Sequence, residues 1–183
     1  MTKTIVLFLG ILLIALLDRL KHRFWIFSLL AFPSTVLHEL MHFVVALLTN
    51  GKPIAFNVIP RNNGGSYKLG HVISSNPTWY NRGLIGLAPL FLIPMAWMLA
   101  HWMPSKHNIW VGILYAYTLG SMLYGSLPSS ADWKCAWSAP IGTMILVLLC
   151  LFGGYVSLSD QLNLSSPSTV SKNKKNDNKS AYR

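Results

Sequence analysis

Apolar residues in this chain come in runs rather than in helical stripes. A water-facing helix places an apolar side chain every three or four positions. Here five stretches, near 4–17, 24–49, 83–103, 109–127 and 137–157, are apolar almost throughout, with charge, one glutamate apart, kept outside them. One helical crossing of a bilayer needs about 20 such residues. With 52% of its 183 residues apolar and 11% charged, the chain reads as an all-α polytopic membrane protein of about five transmembrane helices. Trp25, Trp79, Trp102, Trp110, Trp133 and Trp137 fall at or near the ends of these stretches, as an aromatic belt requires. The stretch 4–17 is short, and Asp18 to Arg23 close it. No small-x-small cleavage site follows, so an uncleaved first helix is expected. The expected setting is multi-pass, in a cell's inner or plasma membrane.

The one long connection, 50–82, changes period. Ile54 to Ile59 and Tyr67 to Ile73 read as strands around Asn62-Asn63-Gly64-Gly65. Asn-Gly is a strong hairpin signal, so a small β-hairpin is expected over about 53–74, between the second and third helices. It would cap the helix ends, and its edge would suit an extended peptide. Beyond residue 157 the chain turns to Ser, Asn, Lys and Thr and ends in KNKKNDNKSAYR. Nothing in 158–183 would bury a core, and a disordered tail is expected. The net charge of +10 does not point to nucleic acid, because the basic residues lie in short connections and in this tail. Cys135 and Cys150 are too few and too differently placed for a disulfide framework.

The second stretch holds the chain's only glutamate, in His38-Glu39-Leu40-Met41-His42. Ionisable groups at membrane depth cost several kcal/mol, about 2.5–3.5 by insertion scales, and need a local reason. Residues four apart share a helix face, so His38 and His42 bring two imidazoles to one point. Glu39 lies to one side, placed to meet a water rather than the ion. This is the H-E-x-x-H pattern of zinc hydrolases, with Zn²⁺ as the expected cofactor. Pro33, one to two turns earlier, predicts a kink or a fresh helix start at Ser34-Thr35.

A catalytic zinc site usually takes a third protein ligand. With five crossings, the second and fourth helices run the same way, and the fourth ends on the His42 side at Leu127-Pro128-Ser129-Ser130-Ala131-Asp132. Asp132 is the expected third ligand, with His71 and Cys135 in reserve. His101 and His107 lie on the opposite face, and His22 precedes the motif helix. Gly112, Ala116 and Gly120 form a small-xxx-small face, expected to bring the fourth helix against the second.

From residue 33 to about 137 the chain resembles the intramembrane zinc metalloproteases of the site-2 protease class. The resemblance rests on FPSTVLHELMH in an early helix, the Gly-containing segment after it, and an aspartate beyond a proline late in the chain. It departs in reading GSLPSSADWK where members carry Leu-Asp-Gly, and it has no PDZ insertion. The resemblance implies a metalloprotease-like domain over 1–157, with His38, His42 and Asp132 as metal ligands and Glu39 as general base. Its substrate would be a membrane protein or peptide cut in or beside the bilayer. Two other readings of the cluster stand beside it. One is a transporter or proton relay through His38, Glu39 and His42; the other is a zinc-binding scaffold without activity.

Overall fold

The computed structural model describes residues 2–62, 67–104 and 108–144, with 147, 148, 152, 153 and 159 beyond them. Residues 1–144 form one compact unit and 145–183 a second. In the first unit the elements run α1 (Lys3–Leu20), α2 (Phe24–Leu30), α3 (Phe32–Leu48), β1 (Pro53–Asn57), β2 (Arg61–Asn62), β3 (Tyr67–Lys68), β4 (His71–Ser74), α4 (Asn81–Gly86), a 3-10 turn (Ala88–Phe91), α5 (Leu92–Trp102), α6 (Ile109–Gly125) and α7 (Ser130–Ser138). In the second unit the described residues are helical. The protein is mostly helical with small antiparallel β pairings, as expected.

The expected crossings are not five single helices. No single described helix is long and apolar enough to cross a membrane, while α2 and α3 together are, bent by 63°. The bend sits at Ala31, which ends α2 and caps α3. Proline has no N–H to continue a helix, so Pro33 falls in the first turn of α3, where that donor has no intrahelical partner anyway. The stretch 83–103 is likewise divided into α4, the 3-10 turn that carries Pro89, and α5, whose first turn takes Pro94. The stretch 137–157 is described only in part: α7 ends at Ser138 and a further helical turn covers 140–144. Most of the remainder, the tail from 160, the hairpin tip at 63–66, His107 and Cys150 lie outside the described residues.

The small-residue face of α6 packs on α1, not on the motif helix. A Cβ on Gly120 would stand 2.8 Å from the Gly10 carbonyl oxygen, and one on Gly10 would stand 3.3 Å from that of Ala116. Small residues let two backbones approach, but any helix with a matching gap can fill the role, and Gly10 provides one. The motif helix meets α6 lower down, where Gly125 lies against Ser34. Val6, Leu92, Ala96, Ala116, Leu119 and Met122 form the apolar core among α1, α5 and α6. A second cluster gathers Leu17, Phe27 and Ala31, with Leu69 of the hairpin and Tyr124 packed on it.

The motif helix ends in a Schellman turn. Gly51 N–H donates to Ala46 O at 2.7 Å and Asn50 N–H to Leu47 O at 3.4 Å, with Asn50 at φ 56°. Asparagine is among the few side chains that visit this left-handed region readily. The turn sends the chain back along α3 as a long hairpin. β1 pairs with β4 from Pro53↔Ser74 to Asn57↔His71, with a register shift after Pro53. β2 pairs with β3 through Arg61↔Lys68 and Asn62↔Tyr67. The Phe56 ring meets Phe43 of α3 edge-on, with ring centres 5.8 Å apart, which holds the hairpin against the motif helix.

Candidate metal centre

The buried stripe of α3 is polar where a membrane or core helix would ordinarily be apolar. Ser34, Thr35, Glu39 and His42 are all buried. The i, i+4 spacing puts the His38 and His42 rings side by side, centres 4.8 Å apart. Each ring is held from behind. His38 Nδ1 lies 2.8 Å from the Gly125 carbonyl oxygen, and His42 Nδ1 lies 2.6 Å from that of Ile85. A carbonyl only accepts, so both rings carry their proton on Nδ1 and donate it. Both Nε2 lone pairs then face forward, the arrangement that metal-binding histidines usually show.

The two carbonyls are delivered by close backbone approaches. A Cβ on Gly125 would lie 2.7 Å from Ser34 O, so the end of α6 reaches α3 only because glycine stands there. Gly86, next to Ile85, does the same for α4 and α7. Its Cβ would lie 2.7 Å from Asp132 O. Asn81, fully buried, ties this region together, donating to Thr49 O and Asn76 O and accepting from Thr78 N–H. The start of α4 is thereby pinned to the end of the motif helix.

Asp132 arrives from α7. Ser129 caps that helix by accepting from Asp132 N–H at 3.3 Å, and Asp132 Oδ2 accepts from Ser129 N–H at 2.6 Å. This reciprocal capping box fixes the carboxylate. Its oxygens lie 3.3 Å from His38 Nε2 and 3.2 Å from His42 Nε2. Burial pushes the Asp132 carboxyl up, but when the rings are charged, Nε2–H bonds from His38 and His42, the field of His42 and the bond to Ser129 outweigh it. They then hold the carboxyl well below the usual carboxylate range. Asp132 is therefore both a helix cap and a member of the cluster.

One ligand atom each from His38, His42 and Asp132 lies within 4.8 Å of the others, and the group could hold a metal ion. The two Nε2 atoms are 3.1 Å apart. Tetrahedral coordination with bonds of about 2.0–2.2 Å spaces ligand atoms about 3.3–3.6 Å apart, so this set is near that geometry. Two lone pairs and a carboxylate turned toward one point want a cation between them.

Glu39 is buried beside the group but is not part of it, as its place on the helix predicts. It shares a cavity of about 510 Å³ with His38, His42 and Asp132. The reserve ligands border this cavity without joining the group. Cys135 is exposed on α7 one turn past Asp132. His71 opens β4, where the register pairs it with Asn57. Phe56 rests on Phe43, so its partner Val72 shares that face and the Asn57–His71 pair takes the other. His101 stacks on Trp97 of α5, apart from the cluster.

The spacing within the motif was readable from the sequence, whereas the supports at Gly125 and Ile85 were not. Their signals are glycines in or beside helices, which show that something approaches but not what. The Ser129-x-x-Asp132 cap was readable as such. No protein-family model, curated protein or solved structure matches this chain.

Proposed function

We propose that the protein is a zinc-dependent peptidase of the bilayer, hydrolysing a peptide bond in or beside the membrane. The observation that carries this reading is the forward-facing set of His38 Nε2, His42 Nε2 and the Asp132 carboxylate, with Glu39 buried in the same cavity. A proton relay fits less well. A relay needs an inlet and an outlet for the proton, and here the second nitrogen of each ring is tied to a carbonyl that only accepts. An inert scaffold would have no use for a buried carboxylate beside the ligands.

When bound, zinc would supply a water whose pKa falls toward about 7 and a Lewis acid for the scissile carbonyl. His38, His42 and Asp132 would hold it. Glu39 takes a proton from the attacking water and passes it to the leaving amine. The carbonyls of Gly125 and Ile85 keep the imidazoles in one tautomer throughout. A helical substrate hides its peptide groups in internal hydrogen bonds and has to unwind before attack. β4 offers such a strand a place. It pairs only with β1 among the described residues, and the segment leading into it borders the cavity.

The bilayer enters through the surface. Trp25, Leu48, Trp97 and Leu114 are each at least 60% exposed, on the helices whose sequence is most apolar. The bent α2–α3 pair has the length and composition for one crossing. The protein is expected to stay with the membrane fraction after alkaline carbonate extraction; release into the soluble fraction would refute an integral location.

The deciding experiment is zinc content of detergent-purified protein, wild type beside His42→Ala and Asp132→Ala, followed by peptide hydrolysis with Glu39→Gln. About one zinc per chain is expected, lost in both ligand variants. Glu39→Gln keeps the metal and slows hydrolysis about 10²–10⁴-fold. A wild type that takes up no zinc when zinc is resupplied would sink the peptidase. Retained zinc with no wild-type hydrolysis would leave the scaffold.

A further inference from the structure

Gly70 stands directly over the Glu39 side chain. A Cβ built there would fall 2.6 Å from Glu39 Cγ, 2.8 Å from its Oε1 and 2.9 Å from the Asn57 carbonyl oxygen. Real Cβ atoms do not come that close to other atoms, so any side chain at 70 would displace the carboxylate or lift the hairpin. Backbone conformation does not demand glycine here. Among the described residues Asn50 and Lys52 are the non-glycine positions with positive φ, and Gly70 itself has no left-handed φ. Space alone explains the residue. The neighbour fixes the segment: Leu69 packs on the Leu17, Phe27 and Ala31 cluster of α1 and α2. On the other side, Asn57 lies in β1, held to α3 through Phe56 and Phe43.

We infer that Gly70 is a positioning residue, setting where the Glu39 carboxylate sits by the absence of its own side chain. The inference rests on the peptidase reading for its catalytic consequence, but the steric relation is testable without it. Glu39 is 7% exposed, so a displaced carboxylate can yield only into the cavity it shares with His38, His42 and Asp132. The segment Leu69–Gly70 therefore links α1 and α2 to the position of the general base.

The test is a double-mutant cycle between Gly70→Ala and Glu39→Asp in the full chain, in detergent with zinc present. Glu39→Asp retracts the carboxylate by one methylene and clears space for the new methyl group. Two readouts are taken, the melting temperature and, with a membrane-peptide substrate, kcat and KM. Gly70→Ala is expected to keep about one zinc per chain and to lower kcat at least tenfold, with KM within about twofold. Both the melting penalty and the kcat penalty should shrink in the Glu39→Asp background. Penalties of equal size in the two backgrounds would overturn the inference, as would a loss confined to KM, which would make Gly70 a substrate contact. If Gly70→Ala does not fold alone, recovery of folded protein in the double variant supports the inference, and failure in both overturns it. Coupling in the melting temperature without any wild-type hydrolysis would separate the two ideas. The peptidase reading would fail and the placement of Glu39 by Gly70 would stand.

Discussion

At the scale of single residues, the site is held by what is missing as much as by what is present. Gly125 lets a carbonyl of α6 reach His38, and a methyl group there would press on Ser34 O at 2.7 Å. Gly125→Ala is expected to weaken zinc about 10–100-fold, the usual cost of disturbing a partner behind a ligand. Competition with a chromophoric chelator measures it. Gly153, with nothing within 4 Å, provides the comparison, and Gly153→Ala should leave affinity unchanged. Histidines and glutamate announce themselves by type and spacing, which is why His38, Glu39 and His42 were legible in the sequence. Asp132 was reachable by topology, being an acid just past a proline at the correct end of a helix. A backbone carbonyl carries no residue identity, so the contributions of Ile85 and Gly125 could not have been read.

Among the elements, the division of the motif stretch into α2 and α3 is the feature with most consequence. Pro33 made a break foreseeable, though it falls at Ala31 rather than at Ser34-Thr35. What the break needs is a partner for the carbonyls it releases. Tyr117 of α6 provides one, donating its hydroxyl to Leu30 O at 2.9 Å across 87 residues of sequence. Tyr117→Phe leaves that carbonyl half-buried without its partner and is expected to cost about 1–3 kcal/mol of stability. A melting curve at saturating zinc reads this, and an unchanged curve would show that water replaces the phenol. The α6 stripe shows the limit of pattern reading at this scale. Gly112, Ala116 and Gly120 correctly signalled close packing, but the sequence cannot say which helix comes close, and α1 with Gly10 was the one.

Across the whole molecule, helical character and the antiparallel strand pairing were readable because hydrophobic period is local. The number of elements was not. Breaks at Ala31 and before α5 arise where proline removes a donor and a neighbouring helix satisfies what is left over. The reach of α7 back to the motif helix depends on the same long-range packing. One feature of α7 ties folding to ligand. Asp132 caps its own helix through Ser129 and also faces both histidines, so the two tasks share one carboxylate. Binding at the centre would then act as a clasp on a helix nine residues long, too short to persist in isolation. Chelation should speed backbone hydrogen exchange through 130–138 while leaving α1 and α6 unaffected; uniform exchange across all three would show no such clasp. If an ion occupies the centre, its loss would loosen this stretch before the rest, and a protease that cuts open chain would then distinguish empty copies from loaded ones at α7.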